Sequence, residues 1–395
     1  MLEILEKAKI ATQYSDWLQV NDCLRQLPLA QNRQTPFEEE ALNLALTVLN
    51  CGDFQERWEI AKILPKFGDR AISPLIAILE NEESEIEERW FAGRILGQFD
   101  RPLVIDALAR CWQTSKDEEL TAIITTALAN LGESAIAPLT KLLDRPELRL
   151  LATQALAQIR HAAVIDPLLS MVGDRDARVR ATIIEALGTI RDRRLIPVLI
   201  EALNDVSAKV RKEAAIALGL WRDIAAELDL LTVLTPRLYD FNLEVCQQAA
   251  MAIGQLRTPE ATATLFHVFQ SPTTPLALQI QLIRALAWNE TESGLACLQK
   301  ILSLTEGKGL LETIGVLGRI ESAHLQPHAA RILLDFFACQ SSAIESPSTL
   351  QYLIQAWGQL GAPEATEILI SLQEHQTPSI RLHAIAALDR CRRAS

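Results

Sequence analysis

The feature that most constrains this chain is a fifteen-residue pattern that returns about every 31 residues. Residues 205–219 read Asp-Val-Ser-Ala-Lys-Val-Arg-Lys-Glu-Ala-Ala-Ile-Ala-Leu-Gly, and residues 174–188 read Asp-Arg-Asp-Ala-Arg-Val-Arg-Ala-Thr-Ile-Ile-Glu-Ala-Leu-Gly. The closing Gly, or the residue in its place, recurs at 65, 97, 129, 157, 188, 219, 254, 287, 318, 358 and 389. A weaker first copy ends near Arg25. A period near 31 is the signature of stacked helix pairs, because one such pair cannot bury its apolar face alone.

The second helix of each unit is amphipathic at helical spacing. Counted from the Arg eight residues before the anchor, small or apolar residues fall at +3, +4 and +7. Examples are Ile60/Ala61/Leu64, Ala92/Gly93/Leu96, Ala214/Ala215/Leu218, Ala249/Ala250/Ile253, Leu282/Ile283/Leu286 and Ala384/Ile385/Leu388. That stripe must be buried. The first helix opens Ile-x-Pro-Leu, as at Ile72–Leu75, Ile136–Leu139 and Ile165–Leu168. Proline is tolerated in a first turn, where the missing N–H has no partner to lose. The expected architecture is all-α: a right-handed α-solenoid of about eleven units. At helix layers ~10 Å apart it would be a curved rod on the order of 100 Å long. Residues 1–50 read as an N-terminal cap with an insertion, and residues 51–395 as the repeat array. Two irregular segments, Gln26–Glu40 and Cys339–Thr349, read as surface loops.

Composition narrows the class. Hydrophobic residues make up 49% but aromatics only 5%, and the 16 Gly and 17 Pro are too few for a disordered or collagen-like chain. No apolar run reaches the ~18 residues of a membrane span, and Met1–Lys7 lacks the order of a signal peptide. The seven cysteines are scattered, with no Cys-x-x-Cys pair. This fits a reducing, cytoplasmic setting and thiols used mostly as small core hydrophobes. A net charge of −12 makes nucleic acid an unexpected partner. The charge is uneven, with a local net of −9 over residues 37–88 and of +4 over residues 175–212.

The pattern Asp-x-x-x-x-Val-Arg-x-x-Ala-x-x-Ala-Leu-Gly followed by Ile-x-Pro-Leu resembles HEAT-like repeats of the phycobilisome-lyase type, over roughly residues 50–395. That resemblance implies bilin attachment or detachment on phycobiliproteins, or an assembly scaffold in cyanobacteria and other bacteria. It extends to a cyanobacterial HEAT-repeat protein that partners an A-type iron–sulfur scaffold. Deoxyhypusine hydroxylase, a HEAT-repeat di-iron enzyme that holds its metal with His-Glu dipeptides, is argued against, since the chain has no His-Glu dipeptide. His324 and His328 share a helix face without an acidic ligand in the sequence pattern, so no metal or other cofactor is expected. Nucleophile-elbow, phosphate-loop and dinucleotide motifs are not found.

Two residue sets stand out. Arg57, Arg89, Arg149, Arg180, Arg211 and Arg381 recur at one repeat position, with Asp174 and Asp205 six residues before theirs. They read as a structural Asp–Arg ladder in which each Arg reaches a neighbouring carboxylate or turn carbonyl. Breaks in the pattern point to function instead. Positions one and two after the Arg usually carry small or polar residues, but two successive units carry Trp58/Glu59 and Trp90/Phe91, with Lys62 and Arg94 nearby. Trp58 and Trp90 should be neighbours in an exposed aromatic patch beside cations, a typical interface anchor. Trp17 extends the patch or helps cap the rod, whereas Trp221, Trp288 and Trp357 should be buried between units. The run Glu80–Glu88 reads as a solvated helix start or a docking site for a basic partner. The functional expectation is a non-catalytic scaffold that binds a protein partner, from photosynthetic or iron–sulfur assembly. The alternative is a bilin lyase or bilin-chaperone subunit.

Overall fold

Three of the second helices begin at a turn that an Asp closes. The carboxylate of Asp174 accepts the N–H of Asp176 at 2.7 Å, that of Asp205 the N–H of Ser207 at 2.7 Å, and that of Asp240 the N–H of Asn242 at 2.9 Å. Such Asx turns satisfy a donor that the helix start would leave unbonded. After Asp174 and Asp205 an arginine six residues later folds back on the same turn; after Asp240 the thiol of Cys246 takes that place, 3.1 Å from the Asp240 carbonyl. Arg180 donates to the Asp174 carbonyl at 2.7 Å and Arg211 to the Asp205 carbonyl at 2.8 Å. In the last copy His375 takes the Asp's place, its Nδ1 accepting from the Thr377 N–H, and Arg381 donates to the His375 carbonyl at 2.8 Å. The repeated motif is thus a turn-and-clasp that starts a helix.

The computed structural model describes residues 2–28, 36–339 and 346–394. These residues form 24 α-helices with short 3₁₀ turns and no strand. They fall into two units, Met1–Leu187 and Gly188–Ser395. Among the described residues, no helix is long and apolar enough to cross a membrane.

In the first unit, helices Leu2–Gln13 and Trp17–Gln26 precede the long helix Pro36–Cys51. Pro36–Glu40, expected in a loop, is therefore the first turn of a helix, with proline where a helix tolerates it best. Residues 29–35 of that expected loop lie outside the described residues. Helix Phe54–Ile60 starts at a capping box in which Asp53 and Glu56 exchange side-chain and backbone bonds at 2.9 and 2.8 Å. Pro138 lies inside helix Glu133–Leu142, not in its first turn, because this helix begins earlier, just after Gly132.

In the second unit the helices that end at the anchor, Ala208–Gly219, Leu243–Gly254, Leu276–Trp288 and Gly307–Gly318, come into very close contact. A Cβ on Gly254 would stand 2.7 Å from the carbonyl oxygen of Ala285, and one on Gly318 would stand 2.6 Å from the Cβ of Ala356. The apolar stripe is buried: Ala214, Ala215, Leu218, Ala249, Ala250, Ile253, Leu282 and Ile283 are all inaccessible. Ile385 departs from its expected place and is 47% exposed. Pro347–Thr349, also read as loop, opens the helix Pro347–Leu360. Residues 340–345 lie outside the described residues.

Candidate functional site

Phe54 and Trp58 stand one helical turn apart on Phe54–Ile60, and Trp90 and Arg94 one turn apart on Ile86–Leu96. Side chains at that spacing share a face. The two faces meet in an aromatic–arginine cluster. The Arg94 guanidinium carbon lies 4.1 Å from the centre of the Trp58 ring and 5.6 Å from that of Trp90. Phe54 stacks on Trp58 at 6.1 Å between centroids, and Phe91 meets Phe54, Trp58 and Trp90 at 5.4, 6.4 and 5.0 Å.

The arrangement differs from the sequence expectation in one respect. Phe91 is not on the surface; it is wholly buried beneath the other rings. The position two residues after the Arg faces the preceding unit, where Phe54 and Trp58 cover it. Trp58 and Trp90 are half-buried, and the cation rather than a direct ring stack links them. Phe54 is 55% exposed and was missed, although its position four residues before Trp58 places it on the same face.

Glu59 lies beside the cluster and accepts from Lys62 at 2.6 Å and from Arg25 at 2.9 Å. The Lys62 ammonium, foremost, holds this carboxyl below the usual range. Arg94 itself makes no ion pair or hydrogen bond among the described residues. Its charge is offset only by two indole faces, a cation–π arrangement of modest strength at a half-exposed site. Its N–H groups are left for an incoming acceptor.

The recurrent arginines are tied inward. Arg57 donates to the carbonyls of Leu49 and Asn50 at 2.9 and 3.0 Å and to Glu85 at 2.8 Å. Arg89 donates to the Leu79 carbonyl at 3.0 Å and to the Cys111 sulfur at 3.5 Å. Arg149 joins the Leu143 carbonyl to Asp174, at 2.9 and 3.1 Å. Arg211 grips Asp240 with two bonds of 2.7 and 2.6 Å. The acidic run is partly spent in the same way, with Glu80 on Arg110 and Glu85 and Glu87 on Arg57. Glu88 is buried, and desolvation raises its pKa.

The tryptophans in the later repeats divide. Trp221 and Trp357 are buried, but Trp288 is 53% exposed, contrary to the reading that placed it between units. It stands one residue after its anchor, in a row that otherwise reads Lys66, Gln98, Asn130, Gln158, Thr189, Leu220, Gln255, Arg319, Gln359 and Arg390. The polarity of that row is the signal that could have placed it outside. His328 also has an acidic partner that sequence spacing did not show, Glu292 at 2.8 Å from Nδ1. No group of three or more metal-ligating side chains occurs among the described residues.

Comparison with known proteins bears on the fold. A family model described as HEAT repeats matches residues 42–129, 72–150 and 136–219. No curated protein matches the chain. The structure is similar to Kap121p bound to Nup53p, with a TM-score of 0.53 and 16% identity over 95% of this chain and 52% of that one. It is similar to the karyopherin Kap121p bound to the extreme C-terminus of the protein phosphatase Cdc14p, again at 0.53 and 16%, over 96% and 52%. The chain thus spans about half the length of Kap121p. Human deoxyhypusine hydroxylase matches at a TM-score of only 0.29, with 20% identity over 69% of this chain and 99% of that one. Residues 42–219 carry HEAT repeats, and the chain has an all-α solenoid fold of HEAT-like units.

Proposed function

We propose that the chain is a non-catalytic, cytoplasmic assembly scaffold whose partner protein docks on Trp58, Trp90 and Arg94, with Phe54 at the edge of the contact. The observation that carries this reading is Arg94: a guanidinium held over two half-exposed indoles with its donors unused. Half-exposed tryptophans and arginines are the residues that most often dominate binding energy at interfaces. A partner side chain pairing a carboxylate with an apolar neighbour would complete the site. Glu59 and Lys62, already paired with each other, form its polar rim. Cys23, Cys51, Cys111, Cys246, Cys297 and Cys339 are free thiols. Burial pushes those of Cys23, Cys111, Cys246, Cys297 and Cys391 up and keeps them unreactive. This supports a reducing compartment. Residues 1–50 serve as the cap of the first unit: Asn21 donates to the Glu56 carbonyl at 3.0 Å and Arg25 reaches Glu59.

The test is affinity capture from an extract of the source organism, reading the retained proteins and their absorption spectrum. A colourless, specific protein complex is expected with the wild type. Arg94→Glu should weaken the isolated interaction by at least about 30-fold, the scale of an interface hot spot. Trp58→Ala should do the same with folding intact by circular dichroism. Equal retention by both variants would sink the site. A retained linear tetrapyrrole, seen as visible absorption, would favour the bilin-chaperone reading instead.

A further inference from the structure

The second unit contains a groove of about 770 Å³, within the size range of ligand sites, and exposed Trp288 stands in it. Four arginines line it, Arg222, Arg257, Arg284 and Arg319, in a protein whose net charge is −12. Their roles differ. Arg284 donates twice to Glu312, at 2.8 and 3.1 Å, and Arg319 donates once to the same carboxylate at 3.4 Å. Glu312 is largely buried and acts as a peg that holds both guanidiniums in place. Each keeps N–H groups to spare, because a guanidinium carries five. Arg222 is exposed, and its guanidinium has no ion pair or hydrogen bond among the described residues.

The backbone adds a second observation. Arg257 and Glu290 each stand three residues after an anchor, in consecutive units, and both are left-handed, with φ of 55° and 45°. For residues other than glycine that conformation costs on the order of 1 kcal/mol. Such strain collects where side chains must be aimed. Here it sets Arg257 and Glu290 at the same groove, 3.7 Å apart.

We propose that this groove is a second binding site, for an extended acidic peptide segment of a partner protein, with an apolar side chain seated on Trp288 and carboxylates on Arg222 and on the spare donors of Arg257 or Arg319. Arg222 and Arg257 occupy the same position in adjacent units, and helix layers lie about 8–10 Å apart. Three residues of a peptide extended in the polyproline II form span about 9 Å and return side chains to one face, so carboxylates three residues apart match the two arginines. Nucleic acid fits worse, since a string of phosphates would meet Glu290, Glu312 and Glu321 along the same walls. The site is independent of the aromatic cluster around Arg94.

A fluorescein-labelled hexapeptide with two aspartates three residues apart around a leucine is the probe, and its asparagine counterpart the control. Fluorescence anisotropy with the full chain is expected to show saturable binding that weakens as salt rises. The asparagine peptide should bind at least about tenfold more weakly, as should the aspartate peptide to Arg222→Glu and, separately, to Trp288→Ala. Both side chains are exposed, so the variants should melt with the wild type. The proposal is overturned by equal binding of the two peptides, by binding that neither variant alters, by no saturation up to about 1 mM, or by a single-stranded oligonucleotide that binds more tightly than the aspartate peptide.

Discussion

Replacing Gly254 with alanine is expected to destabilise the second unit by about 2 kcal/mol, although alanine is the better helix former by up to about 1 kcal/mol. The added methyl would stand 2.7 Å from the Ala285 carbonyl oxygen and 3.0 Å from its Cα and Cβ. These are backbone or near-backbone atoms of a packed helix, and they cannot swing aside as the end of a long side chain can. Overpacking therefore outweighs propensity. Gly93 supplies the contrast. It too lies within a helix and is buried, but the nearest atom to an added Cβ is the Leu79 Cδ1 at 3.5 Å, an ordinary contact. Gly93→Ala should be neutral or stabilising by up to about 1 kcal/mol. Because long repeat arrays lose two-state behaviour, hydrogen exchange localised to helices 243–254 and 276–288 for the first variant, and 86–96 for the second, is the appropriate measurement. Shifts of the same sign in both variants would refute the close-approach account.

The second large effect is expected at Asp240, where Asp240→Asn should cost about 2–3 kcal/mol at neutral pH. The Asp240 side chain is 4% exposed and its Arg211 partner 13%. The carboxylate takes both guanidinium bonds and the Asn242 N–H, and Arg237 lies 3.6 Å away. An amide in its place would turn a donor towards a buried cation. The bond from Arg211, above all, holds the Asp240 carboxyl below the usual carboxylate range. Its folded pKa therefore lies below its unfolded value near 3.9. The stabilisation is complete above that value and is lost as pH falls through the folded one. The wild type's advantage over the variant should thus be flat from about pH 7 to pH 5 and shrink below about pH 4. Denaturation midpoints of both proteins across that range test the sign. An advantage that grew on acidification would rule out the ion pair as its source.

Much of this architecture was legible because the repeat position of a residue dictates its surroundings. The stripe at +3, +4 and +7 from each Arg marked the buried face of the second helices. The recurrent Arg, read as reaching a neighbouring carboxylate or turn carbonyl, donates to the Asp174 carboxylate from Arg149 and to the turn carbonyls of Asp174 and Asp205 from Arg180 and Arg211. What escaped was the environment one or two residues off that stripe. Phe91 and Trp288 were each placed on the wrong side of the surface. Burial there depends on which side chains the neighbouring unit offers: Phe91 is roofed by Phe54 and Trp58, while Trp288 is left 53% exposed. Partners separated by a whole unit, such as Glu292 for His328 or Glu312 for Arg284, leave no local spacing to read.

The contact between each anchor glycine and an alanine of the next second helix has a consequence for how such a chain can change. Gly97 meets Ala127, Gly188 meets Ala217, Gly219 meets Ala252, Gly254 meets Ala285, Gly318 meets Ala356 and Gly358 meets Ala387, at separations of 30, 29, 33, 31, 38 and 29 residues. The contact is constant while the length between its partners is not, so extra residues are absorbed in turns and first helices. Side chains flanking the anchors, Arg257, Trp288 and Arg319 among them, stay in phase however long the intervening segment becomes. The side chains in those rows can therefore change by single substitutions, while insertions accumulate elsewhere without shifting their phase.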